Sequence, residues 1–263
     1  MKNKIKIIFF DIDGTLYSHG KYEGISESSL KTILKLKENS YKLALCTSRS
    51  FCDLKHFDLD IFNLFDAKLL MAGTCVIIGE EKTYYTIDDD NLKEIIAFLE
   101  DHKITYRYCL PNDCDYLNQE DYETGQLFYK LYYEIPPVKK YEGEKVNHLN
   151  LYFHNDKQIE KQLLEICNKS IMHPMGITSE VSPMGVDKGE MILKIAEKFG
   201  FKQEEVCAFG DGYNDITMLS MAGLGIAMGN ARDEVKKYAD YVTDHIDEDG
   251  IYKACKHFGF IEE

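Results

Sequence analysis

The sequence predicts an α/β protein: a doubly wound, mostly parallel sheet with a second, α+β unit inserted into it. Three observations carry that expectation. The run Ile5 to Phe10 (IKIIFF) is continuously apolar, as a central strand covered on both faces must be. Strand-like and helix-like periods alternate through the first and last thirds of the chain, the rhythm of right-handed strand-helix-strand units. The middle third breaks that rhythm with tyrosine-rich and acidic stretches and with Pro136-Pro137.

Taken in order, the first strand ends in the polar turn Asp11-Ile12-Asp13-Gly14-Thr15. Ser26 reads as a helix N-cap, with Leu30, Ile33 and Leu34 at helical spacing to about Asn39. Tyr41 to Cys46 predicts a second strand, closed by Thr47-Ser48-Arg49 with a short helix to follow, and Leu69 to Ile78 supplies one or two more strands. In the insertion, Thr83 to Ile87 reads as a strand, Asn91 to Leu99 as a helix, and the tyrosines of 105–145 suit a half-wet surface. His148 to Phe153 alternates like a strand, Ile159, Leu163 and Ile166 mark a helix, and Ile177 to Val181 predicts a strand before Pro183. The α/β rhythm then returns with helix Lys188 to Phe199, strand Val206 to Phe209, helix Asn214 to Met221, strand Leu224 to Met228 and a helix from about Ala231. Residues 1–82 and 180–263 would form one unit and residues 83–179 the other.

At 263 residues the chain can bury a sizeable core. Its net charge of -14 opposes nucleic acid and anionic membranes, and the basic pairs Lys139-Lys140 and Lys236-Lys237 are short and flanked by acids. Eight cysteines scatter without paired spacing, which fits buried free thiols in a reducing compartment. Cys109 and Cys114 lack the second Cys/His pair that a zinc site would need. With no secretory leader and no run of about 18 apolar residues, the expectation is a soluble cytoplasmic protein.

Two carboxylates two residues apart, where a buried strand gives way to a turn, are costly unless a cation lies between them. In open α/β sheets such strand ends are also where ligands gather. Four polar clusters stand at predicted strand ends or helix starts: Asp11/Asp13, Thr47-Ser48, Gly185-Val186-Asp187-Lys188-Gly189 and Gly210-Asp211-Gly212-Tyr213-Asn214-Asp215. Singly, each has an ordinary reading as a loop turn, a helix cap or a solvent-facing lysine. Jointly they supply carboxylates, a hydroxyl, an ammonium and flexible glycines, the parts of a metal-assisted phosphoryl-transfer site.

These four motifs resemble those of the haloacid dehalogenase-like superfamily. The stretch GDGYNDITML (Gly210 to Leu219), continued by Ala222 to Ala231, is similar to the ending of its Cof-type phosphatases. The resemblance implies a Rossmann-like core, an inserted α+β cap, and a Mg²⁺-dependent phosphomonoester hydrolase that acts on a small phosphorylated metabolite through an aspartyl-phosphate. It assigns Asp11 as nucleophile, Asp13 as general acid/base, Thr47 as phosphate-binding hydroxyl and Lys188 as the lysine spanning nucleophile and phosphate. Ser48 and Asn214 would lie beside the phosphate. Asp11, Asp211, Asp215 and the backbone carbonyl of Asp13 would form the metal shell, with Asp215 either a ligand or the partner that orients Lys188. The pKa of Asp13 should exceed that of Asp11, because the two titrate as a coupled pair.

Two departures stand out. Ser48 replaces a glycine common at the second motif and would be strained at positive φ, and Ala72-Gly73-Thr74 stands where Asn-Gly-Ala is common. Arg49 fits a structural salt bridge better than a substrate contact. Alternatives are a sugar-phosphate phosphomutase and a non-catalytic phosphometabolite-binding protein. Dehalogenation is disfavoured because that branch does not keep the second Asp, here Asp13. Tyr106, Tyr116 and Tyr129 are candidates for substrate contact or, more simply, for cap packing, and the oligomeric state is left open.

Overall fold

The first strand, Ile7–Phe10, lies in the middle of an eight-stranded sheet, and its side chains alternate between two buried layers. Ile8 and Phe10 join the layer covered by helices Glu27–Glu38 and Gly250–His257, whereas Ile7 and Phe9 join the layer of helix Lys188–Lys198. A strand with no polar face needs this double cover. The computed structural model describes residues 4–20, 23–55, 57, 59–130, 134–153, 156–174 and 178–262.

Across the sheet the strands run Tyr241–Val242, Leu224–Ala227, Val206–Gly210, Ile7–Phe10, Lys42–Cys46, Ala67–Leu70, Cys75–Ile78 and Glu81–Tyr84. All pairings up to Ala67–Leu70 are parallel, and the last two strands pair antiparallel. The Ile7–Phe10 carboxyl end, where the order reverses between Val206–Gly210 and Lys42–Cys46, is the crevice that such topology opens to a ligand. Ser26 caps its helix as expected, accepting from the Ser29 N–H, but the buried stripe is Thr32, Ile33 and Leu36 while Leu34 is exposed.

The inserted unit holds a five-stranded antiparallel sheet in the order Ser170–Pro174, Ser179–Pro183, His148–Tyr152, Thr105–Cys109 and Asp115–Leu117. Helices Asp89–Asp101 and Lys157–Ile166 cover one face, packing on Tyr106, Tyr108, Leu149, Leu151 and Val181. Tyr106 and Tyr108 are therefore core residues, contrary to the half-wet surface expected for this stretch, because period-two alternation turns them toward the helices. The same alternation turns Arg107, Asn150 and Glu180 toward the larger sheet.

The expected unit boundaries cut through two strands. Glu81–Tyr84 pairs with Cys75–Ile78 and so extends the large sheet past residue 82, while Ser179–Pro183 pairs within the small sheet past residue 180. The strand read from Ile177 begins outside the described residues. The strand read over Thr83 to Ile87 is instead Glu81–Tyr84, part of the large sheet, and residues 85–87 lie outside any strand. A hairpin, Tyr17–His19 with Glu23–Ile25, and the edge strand Ser170–Pro174 went unread. Of the cysteines, Cys46, Cys75, Cys109, Cys167, Cys207 and Cys255 are buried free thiols, while Cys114 is exposed. Among the described residues no helix is long and apolar enough to cross a membrane.

Candidate active site

Asp11 follows the last residue of the first strand, its N–H donating to the Phe209 carbonyl of the neighbouring strand at 3.0 Å. Lys188 reaches it from the first turn of helix Lys188–Lys198. Its fully buried ammonium donates to Asp11 Oδ1 at 2.7 Å and to Asp215 Oδ1 at 2.6 Å. The other Asp215 oxygen accepts the N–H groups of Asp211 and Gly212 at 2.9 and 2.8 Å. Asp215 thus orients the lysine and pins the loop that carries Asp211.

Asp11, Asp211 and Asp215 each present a carboxylate oxygen, and these lie within 4.8 Å of one another. Gly14, at φ 81°, permits that approach, since a Cβ there would stand 2.2 Å from Asp211 Oδ2. Two residues whose roles were not read from the sequence contact Asp211: Thr15 donates to its Oδ1 at 3.0 Å, and Asn230 Nδ2 donates to its Oδ2 at 3.4 Å and to the Gly14 carbonyl at 2.7 Å. Burial and then the Asp215 charge push Asp11 well above the ordinary carboxylate range and push Asp211 up to about 7. Burial alone would lower Lys188, but Asp11 and Asp215 carry it well above its ordinary value. Three carboxylates sharing one ammonium at this point leave an excess of negative charge, and an all-oxygen donor set of this kind fits a hard divalent cation.

Asp13 is held differently. Arg49 donates to it through Nε at 2.9 Å and Nη2 at 2.7 Å, and His19 Nε2 lies 2.7 Å from the same Oδ1. Burial would raise its carboxyl, yet Arg49 and His19 hold it well below the usual range. The expected ordering of the two aspartates is therefore reversed in this arrangement: Asp11 is the raised group and Asp13 the lowered one. The reason is the Arg49 guanidinium, which serves as the salt-bridge partner that its reading suggested.

Thr47 is buried at the end of strand Lys42–Cys46, and its Oγ1 accepts the Arg49 N–H at 3.1 Å. Ser48 does not adopt positive φ, so the expected strain is absent. Strain sits instead in the neighbouring turn, where Met71 and Ala72 have φ 50° and 55° and donate to the Arg49 and Thr47 carbonyls. The Ser48 hydroxyl is committed rather than free: Asn214 Nδ2 donates to it at 2.8 Å, and it donates to Glu180 Oε2 at 3.0 Å. Ser48 and Asn214 thus join each other and the small sheet, and both line the cavity beside Asp11 and Thr47.

A cavity of about 300 Å³ opens from Asp11, Asp13, Thr47 and Asn214 toward the small sheet. Arg107, Asn150 and Glu180 stand in register across three adjacent strands and face it. Arg107 is tied to Asp53 at 3.0 Å and to Asp115 at 2.7 Å, so the two sheets are bridged by a buried ion cluster. Tyr106 is buried under the helices, Tyr116 is half-buried and Tyr129 is exposed; among the described residues the tyrosine that lines the cavity is Tyr152. The signal that could have found these residues was alternation, since Arg107, Asn150, Tyr152 and Glu180 occupy the opposite phase from Tyr106, Tyr108, Leu149 and Leu151.

Comparison with known proteins gives a consistent result. A family described as haloacid dehalogenase-like hydrolase matches residues 8–255. The Bacillus subtilis protein YkrA is 30% identical over 98% of this chain and 99% of its own length. The 5-amino-6-(5-phospho-D-ribitylamino)uracil phosphatase YitU of Bacillus subtilis is 26% identical over 98% of this chain and 99% of its own. Among solved structures, the subclass IIB sugar phosphatase BT4131 superposes with a TM-score of 0.90 at 32% identity, covering 97% of this chain and all of its own.

Proposed function

The chain belongs to the haloacid dehalogenase-like hydrolases and is a phosphatase, and from that premise we propose that it is a Mg²⁺-dependent hydrolase of small phosphate monoesters working through Asp11. The observation that carries this reading is the Lys188 ammonium shared by Asp11 and Asp215 beside Asp211. Three chain segments distant in sequence converge there on one strand end.

In the proposed reaction the Asp11 carboxylate attacks phosphorus, and the bond from phosphorus to the ester oxygen breaks. The departing alkoxide takes a proton from Asp13. A water then attacks the phosphorus of the aspartyl-phosphate, giving its proton to Asp13, and inorganic phosphate leaves with Asp11 restored. Lys188 neutralises the nucleophile and a phosphate oxygen, while Thr47 and the N–H groups of its loop receive the remaining oxygens. Asp11, Asp211, Asp215 and the Asp13 carbonyl would hold the Mg²⁺, which when bound offsets charge between phosphate and carboxylates.

The Arg49-bound carboxylate of Asp13 is in the ionised state from which the second half-reaction starts, but Arg49 and His19 weaken it as a base. To accept a proton there, and to carry one in the first half, it must loosen from Arg49. The test is release of inorganic phosphate from p-nitrophenyl phosphate, measured with Mg²⁺ and again after removal of divalent ions by EDTA. The proposal expects turnover that depends on the added metal; turnover indifferent to EDTA contradicts the metal assignment.

A further inference from the structure

The cavity beyond the phosphate site has a chemistry of its own, set by the row Arg107, Asn150 and Glu180. Arg107 is the cation among the described lining residues, and it is fully engaged. Its guanidinium meets Asp53 through Nη1 at 3.0 Å and Nη2 at 3.1 Å, and Asp115 through Nε at 2.7 Å. Two carboxylates against one guanidinium leave that end of the wall negative.

Glu180 adds a further carboxylate and is only 5% exposed. Because Asn214 already donates to Ser48 Oγ, the Ser48 proton goes to Glu180 Oε2, which is thereby fixed as an acceptor. Among the described residues Oε1 has no hydrogen-bond partner. Asn150 beside it offers both a donor and an acceptor. Leu127, Phe128 and Tyr152 give the lining an apolar part, with Tyr152 two residues along the strand from Asn150 and the Phe128 ring 5.5 Å from the Arg107 guanidinium. A hydroxylated organic group suits both parts of the lining, since its hydroxyls can donate to Glu180 while its C–H face lies on the rings. Burial raises the Glu180 carboxyl, while the Lys188 charge and the Ser48 hydrogen bond favour its ionised form. A second anion would meet that carboxylate and, among the described lining residues, no uncommitted cation, in a partly desolvated space where charge repulsion is strong.

We propose that Glu180 acts as a charge filter on the leaving group: the chamber admits phosphate monoesters whose organic part is uncharged and hydroxylated, and turns away those presenting a second anionic group. The proposal rests on the phosphatase reading above and deepens it by naming the class of ester.

The test uses matched linear pairs that differ by one carboxylate, glycerol 3-phosphate against 3-phosphoglycerate and glucitol 6-phosphate against 6-phosphogluconate. For each, kcat/KM is measured in the wild type, in Glu180→Gln, which keeps an acceptor for Ser48, and in Asn150→Asp, which adds charge to the same wall. The wild type should favour the neutral member by about tenfold or more. Glu180→Gln should narrow that ratio by about tenfold through a gain on the carboxylate member, and Asn150→Asp should widen it. If Glu180→Gln fails to fold, the Asn150→Asp ratio decides. A ratio unmoved by either variant, or a wild type that prefers the carboxylate member, overturns the filter. A wild type inert toward p-nitrophenyl phosphate would instead remove the phosphatase reading, and the filter with it.

Discussion

Arg49 grips both oxygens of Asp13, with Nε to Oδ2 at 2.9 Å and Nη2 to Oδ1 at 2.7 Å. The guanidinium is nearly buried, at 6% side-chain exposure, whereas the carboxylate is about a third exposed at 32%. Removing the arginine leaves a partly desolvated charge, the costly half of a broken pair. In a double-mutant cycle of Arg49→Met and Asp13→Asn followed by urea unfolding, a coupling on the order of 1–2 kcal/mol is expected. Additive single effects would show that the pair contributes no mutual stabilisation.

The crowding of Asp11, Asp211 and Asp215 makes the metal-free protein less stable than its packing allows. Burial and Asp215 raise Asp211 to about 7, so its ionised form costs stability above that pH and the cost falls away as pH drops toward the unfolded carboxylate value. Asp211→Asn should therefore raise the metal-free Tm at pH 8, while abolishing the Tm increase that Mg²⁺ gives the wild type. Calorimetry with and without Mg²⁺ measures both. A variant whose Tm still rises with Mg²⁺ as the wild type's does would remove Asp211 from the metal shell.

His148, in the small sheet, gives a pH dependence of the opposite sign. Burial, followed by the Arg107 charge, lowers it to about 3. Its folded pKa lies below the unfolded value of about 6.5, so its contribution is complete above about pH 6.5 and is lost as pH falls toward 3. At pH 5 the loss is about 2 kcal/mol by proton linkage. His148→Gln should abolish this component, so the difference in unfolding free energy between variant and wild type should change by that amount between pH 7.5 and pH 5. A constant difference would contradict a neutral, buried His148.

Ser40 ends helix Glu27–Glu38 in the left-handed region at φ 66°, with its N–H donating to the Lys37 carbonyl at 2.9 Å. Glycine takes this conformation without a Cβ clash. Ser40→Gly should stabilise the protein by about 0.5–1 kcal/mol, read as a higher urea midpoint at unchanged m-value. A lower midpoint would mean that the Ser40 side chain contributes more than its backbone strain costs.

Much of the core sheet was legible because each of its strands carries a local signal. An apolar run, a polar turn at the carboxyl end and a capped helix recur from Ile5 to Asn39 and from Lys188 onward. The four polar clusters were legible for the same reason, since each sits in sequence beside the element that positions it. The cavity wall was not. Arg107, Asn150 and Glu180 become neighbours only through the register of three antiparallel strands, and no local pattern states that register. The tyrosines misled because composition suggested surface where alternation at Tyr106 and Tyr108 meant core. Likewise, the lowered carboxyl of Asp13 depends on Arg49, 36 residues away in sequence, and on a hairpin that brings His19 back over the turn.

Asp11 as nucleophile is the claim on which the rest depends, and Asp11→Asn tests it most directly because it keeps the shape of the site and removes the attacking charge. With p-nitrophenyl phosphate and saturating Mg²⁺, kcat should fall by about a thousandfold or more, with the variant folded as judged by its thermal transition. A folded Asp11→Asn protein that releases phosphate within tenfold of the wild-type rate would contradict the assignment.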